Sequence, residues 1–249
     1  ERRHFVPGPK DAFEITFAGQ RTLFGTNLLF ACREMPEFGV VDSEIEMMLE
    51  NEHFAFIAAK KAVSIDNEGL ITGSLPALPV EHLENISPKD LLDFEYSDFG
   101  AFYIQGCIFR KSVIDAIGGF DEDMTGDDIV LRTKLFRYLT QHSEWKYDFV
   151  AENNVFYRLH ENNIHKNTFR QIRIVTEYLE RYWPDRPNPK ILTAWAQGAI
   201  GNKNLDEVFT LFSINSRSAM LLSEQDIQKK ITKLILKNNK ISKKGLIFS

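Results

Sequence analysis

The residues best suited to chemistry crowd into one stretch, Tyr103–Asp128, which reads YIQGCIFRKSVIDAIGGFDEDMTGDD. It closes on an acidic pair, Asp127-Asp128, at the start of a helical pattern. A carboxylate in the first turn of a helix lies at the favourable end of the helix dipole and stays ionised near neutral pH. Asp128, with Asp127 beside it, is therefore suited to take a proton from an attacking hydroxyl. The same two acids are equally suited to cap a helix start. Arg110-Lys111 supplies positive charge earlier in the stretch. Gly118-Gly119 ends the short helix between them, because glycine tolerates the left-handed C-cap. Asp121 and Glu122 shape the loop after the glycines. Downstream, VFYRLHENN contributes Tyr157, His160 and Asn163. Taken alone, these read as a packing residue, a surface-loop histidine and a turn residue.

The order of these features resembles the acceptor-side half of family-2 glycosyltransferases with the GT-A fold. Those enzymes show a Gly-small-apolar strand, matched here by Gly106-Cys107-Ile108-Phe109. A basic pair follows (Arg110-Lys111), then a helix, then GGFDE (Gly118–Glu122). A short loop leads to an acidic pair (Asp127-Asp128), and Tyr-x-x-His-x-x-Asn closes the segment (Tyr157, His160, Asn163). A match in order and spacing from Gly106 to Asn163 is more specific than any one short motif. The resemblance implies transfer of a sugar from a nucleotide-diphosphate sugar to a glycan or lipid-linked acceptor, with inversion at the anomeric carbon. Such a transfer needs a base for the acceptor hydroxyl, positive charge for the departing diphosphate and a pocket that aligns the two substrates.

The resemblance makes Asp128 the base and Asp127 its support. It places Gly106, Cys107, Arg110, Tyr157 and Asn163 at the substrates. It also implies a divalent cation, Mg²⁺ or Mn²⁺, held by Asp42, Glu44 and His160. The family carries an Asp-x-Asp at a strand end. This chain has Asp42-Ser43-Glu44 after the strand-like FGVVD. Glutamate can ligate a hard cation, but its extra methylene moves the oxygens. Acids at the start of a helix are the other reading of this pair. HFAFIAAKKAVSIDNEG resembles the family's next strand and its Ile-Asp-x-x-Gly hairpin (Ile65, Asp66, Gly69). The family builds its nucleotide pocket from two βαβ units before the metal acids. A βαβ unit takes roughly 30 residues or more, so the residues before Asp42 hold one.

The elements that must position these residues alternate in type. Phe13–Ala18 reads as a strand, Thr22–Met35 as a helix stopped by Pro36, and Phe38–Asp42 as a buried strand. Ser43–Glu50 reads as a helix with Ser43 as N-cap, and His53–Ala59 as a strand. This βαβαβ order predicts parallel strands. Ala62–Ile65 and Leu70–Thr72 are short strands in a loop-rich region. Ile104–Arg110 is a strand, Lys111–Ile117 a short helix, and Lys146–Tyr157 contains a further strand. Leu131, Leu135 and Leu139 lie four apart and mark one face of a helix beginning near Asp128. From Thr168 onward the pattern is helical: Phe169–Tyr182 up to the Pro-rich WPDRPNP, then Ile191–Ile200 and Leu205–Phe212. The fold class is α/β: a GT-A-like, Rossmann-like mixed sheet flanked by helices. Residues 1–168 form that domain, short in its nucleotide-binding half, and 169–249 a helical extension.

Composition narrows the classes. The chain has 249 residues, 43% hydrophobic and 12% aromatic, enough for a sizeable core. No apolar run is long enough to span a membrane, and no signal-peptide pattern is visible. A first residue of Glu1 reads as processing, trimming or a piece of a longer chain. Cys32 and Cys107 follow no metal or disulfide spacing, which fits a reducing cytoplasm and two small buried residues. Residues 227–249 carry seven lysines and no acid; the remaining 226 hold 23 basic against 35 acidic residues, a net of −12. So acidic a body excludes a general nucleic-acid binder. Ile227, Ile231, Leu234 and Ile235 share a helical face among the lysines. The tail is either an amphipathic helix on the inner face of an anionic membrane or a terminal helix packed on the domain. Two rivals accompany the transferase reading: a non-catalytic GT-A-like module that binds glycan or a partner protein, and a metal-dependent phosphoesterase using the same Asp and His residues.

Overall fold

The computed structural model describes residues 13–17, 20–24, 28–32, 41–76, 85–100, 102, 104, 107–150, 156–158, 168–201 and 205–245. The chain divides into two compact units. The first is Glu1–Glu95, Gly100–Asp121 and Leu131–His160; the second is Tyr96–Phe99, Glu122–Val130 and Glu161–Ser249.

All the described strands belong to the first unit. Strands β1 (Phe13–Phe17), β2 (Gln20–Phe24) and β3 (Leu28–Cys32) form an antiparallel meander. Helix α1 (Val41–Glu50) follows, then β4 (Phe54–Ala59), β5 (Lys61–Ile65) and β6 (Ile71–Pro76). Next come α2 (Pro88–Asp98), β7 (Cys107–Arg110), α3 (Lys111–Ala116), α4 (Asp127–Gln141), β8 (Lys146–Val150) and β9 (Phe156–Arg158). One sheet runs β1-β2-β3-β7-β4-β8 and a second β6-β5-β9. Only β4–β8 and β5–β9 are parallel among the described pairings.

This corrects the expected opening of the chain. Thr22–Met35 is not a helix: the two short apolar runs RTLF and LLFAC are strands of the meander. Apolar runs of four or five residues carry no period that separates strand from helix. In the sequence, Gly19 and Gly25 separate the runs. Among the described residues of 13–32, the βαβ start expected of a nucleotide pocket is therefore absent. Val41 and Asp42 also belong to α1 rather than to a preceding strand, and Ser43 lies inside the helix instead of capping it. Lys146–Tyr157 contains the expected strand, β8, and also reaches into β9, which belongs to the second sheet. The mixed α/β class itself stands.

Other expectations hold. Leu131, Leu135 and Leu139 form one buried face of α4. That face joins Ala55, Phe56, Leu91 and Phe109 in the main core. Phe56 sits at its centre, stacked on Tyr147 at 5.1 Å and on Phe102 at 5.2 Å. Rings offset in this way add to their area burial. The Ile-Asp-x-x-Gly segment forms the expected hairpin. Asp66 Oδ1 accepts the N–H groups of Glu68 and Leu70, both at 2.9 Å, and Gly69 takes a left-handed φ of 87°.

The second unit is helical: α5 (Thr168–Tyr182), α6 (Lys190–Gly201), α7 (Leu205–Phe212), α8 (Ser216–Met220) and α9 (Gln225–Gly245). Its core includes Ile172, Tyr178, Leu192, Val208, Leu221 and Ile227, all fully buried. Asn215 caps α8 through a reciprocal pair of bonds with Ser218. The Pro-rich break after α5 is held by Arg217, whose guanidinium donates to the carbonyls of Trp183, Pro184 and Arg186.

Candidate functional site

Strand β7 carries the small-apolar part of the motif, Cys107-Ile108-Phe109, and its alternation sends neighbouring residues to opposite faces of the sheet. Cys107 and Phe109 join the main core, while Ile108 packs with Met48 and Ile57 on the α1 side. Cys107 is 3% exposed, and burial pushes its thiol well above the usual range, against the opposing charge of Arg132. Such a thiol packs as a small apolar residue rather than acting as a nucleophile. Gly106 lies outside the described residues.

Arg110 shares the α1 side with Ile108. Its Nη2 donates to the carbonyls of Met48 at 2.6 Å and Asn51 at 2.9 Å, and its Nε to that of Phe54 at 3.1 Å. These carbonyls belong to the end of α1, the turn after it and the start of β4. A cation there completes the orphan acceptors of a helix C-terminus. The guanidinium expected at a substrate is thus engaged with backbone. Partial burial lowers its pKa, with Glu52 opposing. Lys111, its neighbour in the motif, makes an exposed 2.6 Å ion pair with Asp115 one turn along α3.

Helix α3 ends as the glycine pair predicts. The N–H of Gly119 donates to Ile114 and that of Gly118 to Asp115, and both glycines have positive φ, 61° and 74°. This is a Schellman closure, which a side chain at either position would strain. The loop beyond is tied down by Lys134 of α4. Its Nζ donates to Gly119 O at 2.7 Å and Asp121 Oδ1 at 2.8 Å. Asp121 therefore shapes the loop, as its position predicts.

The acidic pair occupies the first turn of α4, and both residues are half-buried. Asp127 Oδ1 accepts the N–H of Asp128, and Asp128 Oδ1 accepts that of Ile129, each at 2.9 Å. One oxygen of each carboxylate thus satisfies a backbone donor that a helix start leaves over. Gly126 precedes them for a reason the motif does not state. A Cβ there would stand 2.7 Å from Ile174 Cγ2 of α5. Only glycine lets the turn approach that helix so closely.

The expected metal acids Asp42 and Glu44 fall on α1, in its first turn, and their side chains lie outside the described residues. Among the described residues, no group of three His, Cys, Asp or Glu could hold a metal ion. His160 and Asn163 lie outside the described residues, and Tyr157 falls on β9.

One ionic feature gives no local signal in the sequence. Arg132, one turn beyond Asp128, forms a bidentate ion pair with Glu95 of α2, at 2.9 and 3.0 Å. Its Nη1 donates to Phe102 O at 3.0 Å. Both side chains are almost wholly buried. A contact between residues 37 positions apart leaves no periodic trace.

No protein-family model matches the chain, and no curated protein matches it. Among solved structures it is similar to a mannosyltransferase, PcManGT from Pyrobaculum calidifontis, in complex with GDP-Man and Mn²⁺. The alignment has 12% identity and a TM-score of 0.30, and covers 76% of this chain. The chain spans 55% of that neighbour's length.

Proposed function

We propose that this chain is a glycosyltransferase-type module. In this reading it transfers a sugar from a nucleotide-diphosphate sugar to a hydroxyl of a glycan or lipid-linked acceptor. What supports it above all is the succession from β7 to α4. A small-apolar strand, a short helix, a Gly-Gly closure, a tied loop and an acidic helix start follow in the order the motif requires. Asp128 is the candidate base. It would take the acceptor's proton as the hydroxyl attacks the anomeric carbon and the diphosphate leaves, with inversion. Asp127 holds the first turn beside it. No step is assigned to a metal.

Asp128→Asn tests this directly, because asparagine caps a helix start as well as aspartate does but is no base. Transfer from nucleotide-sugar donors to glycan acceptors should fall by about 10²-fold or more, with an unchanged melting temperature. Full activity in the variant would sink the assignment.

A second reading has its own observation. Asp127 and Asp128 already accept backbone donors, and Arg110 is engaged with carbonyls. A non-catalytic module that binds glycan or a partner protein needs nothing more of them. Calorimetry with nucleotide-sugars, with and without Mn²⁺, separates the two. No heat of binding favours this second reading.

A further inference from the structure

Helix α9 packs along α6, and Ile227 is fully buried there, with Ile231 and Leu234 half-buried. The apolar face that the sequence offers to a membrane is therefore largely taken up within the protein, with Ile235 at its end 38% exposed. The opposite face is what remains. Lys229, Lys233, Lys237, Lys240 and Lys244 recur at three- and four-residue spacings, and so fall on one stripe of the helix. Lys230 and Lys243 flank it. Lys230 Nζ donates to Gln197 O of α6 at 2.8 Å, and Lys229 makes an exposed ion pair with Asp226. Lys233 and Lys237 are exposed and have no partner among the described residues. Leu236 stands at the edge of the stripe, three residues after Lys233, and is 55% exposed.

We infer that this lysine stripe is a docking surface for an anionic lipid bilayer. The argument is charge complementarity. Residues 227–249 carry seven lysines and no acid, on a chain whose other residues sum to −12. An anionic surface repels that body and attracts only the tail, so it selects one orientation. The stripe holds no arginine and no aromatic residue between 227 and 245. Those are the side chains that nucleic acids engage by bidentate bonding and stacking. It does present an exposed leucine among lysines, the pairing that anchors a helix at a lipid headgroup boundary. Among the described residues no helix is long and apolar enough to cross a membrane, so the contact is peripheral.

The test is sedimentation of the full chain with vesicles of phosphatidylcholine alone and of phosphatidylcholine mixed with phosphatidylglycerol. The chain should pellet with the mixed vesicles only, and be released by raised salt. Lys233→Glu with Lys237→Glu should weaken the binding by more than about ten-fold, and Leu236→Ser by less. All three side chains are exposed, so melting temperatures should not move; Lys233→Gln with Lys237→Gln is the milder check on folding. Equal pelleting with both vesicles, pelleting without vesicles, or unchanged binding in the charge-reversed variant would overturn the inference. So would release of the chain from vesicles by a DNA duplex at matched charge. The inference stands apart from the transferase reading: the Asp128→Asn variant should bind vesicles as the parent does.

Discussion

Each unit of this protein buries an arginine, and the two are stabilised in opposite ways. In the first, Arg132 meets the carboxylate of Glu95 in a bidentate pair and adds one carbonyl, that of Phe102. In the second, Arg217 is 4% exposed and has no carboxylate partner among the described residues. It is surrounded by three carbonyls from the Pro-rich turn after α5. The first arrangement neutralises a charge in the core between two helices. The second solvates a charge with the backbone, and in doing so fixes a turn that proline cannot fix by its own hydrogen bonds. A buried cation is thus a partner for an acid in one place and a substitute for missing N–H donors in the other.

The largest expected effect comes from unbalancing the neutralised pair. Glu95→Leu leaves Arg132 buried without its counter-ion and should cost about 3–5 kcal/mol in denaturant unfolding. Adding Arg132→Met to that variant should recover most of the loss, since apolar replacement of a buried pair is often neutral or better. A double variant as unstable as the single one would mean that the pair's geometry, and not its charge balance, holds α2 to α4.

Arg217→Met is expected to cost less, about 1–3 kcal/mol. The carbonyls it abandons lie in a turn that water can reach more easily than the core. Its signature should be local: faster hydrogen exchange in residues 183–188 ahead of global unfolding. A loss larger than that of Glu95→Leu would break the contrast between the two arginines.

The smallest effect concerns a neutral donor in the first unit. Tyr147 donates its hydroxyl to Ile86 O, and burial, with Asp90 nearby, raises its pKa to about 12. A folded-state pKa raised above the ordinary value of 10.0 means that the folded protein holds this proton more tightly. The resulting stability is present below pH 10 and is lost as pH rises toward 12. Tyr147→Phe should cost about 1 kcal/mol at neutral pH and flatten the decline in stability across that alkaline window. An unchanged alkaline profile would remove Tyr147 from the account.

What could be read from the sequence follows from which signals are local. The α4 face was legible because Leu131, Leu135 and Leu139 repeat at the helical period. The end of α3 was legible because two glycines meet a specific backbone need. The meander over residues 13–32 was not, since its apolar runs are too short to show a period and its partners lie across turns. For the candidate site, the position of Asp127-Asp128 at a helix start was legible. Whether a carboxylate there serves catalysis or capping was not, because both uses favour the same residue at the same place. Arg110 shows the same ambiguity: the motif marks a cation, and only the fold reveals that it faces the carbonyls of Met48, Asn51 and Phe54. Glu95–Arg132 and Arg217 left no trace, because distant segments create those environments.

The place of β7 in its sheet has a consequence for how the chain assembles. The β1-β2-β3 meander closes through short connections and can form early. Among the described pairings, its attachment to β4 runs through Cys107–Arg110, which pairs with β3 on one side and β4 on the other. Until those four residues arrive, β3 and β4 both present open edges, and an open edge invites pairing with another chain. Closing so long a loop is slow compared with forming the meander. During synthesis the chain therefore passes through a stage in which two apolar strands wait for a third made much later, and it is there that misassembly has its opening.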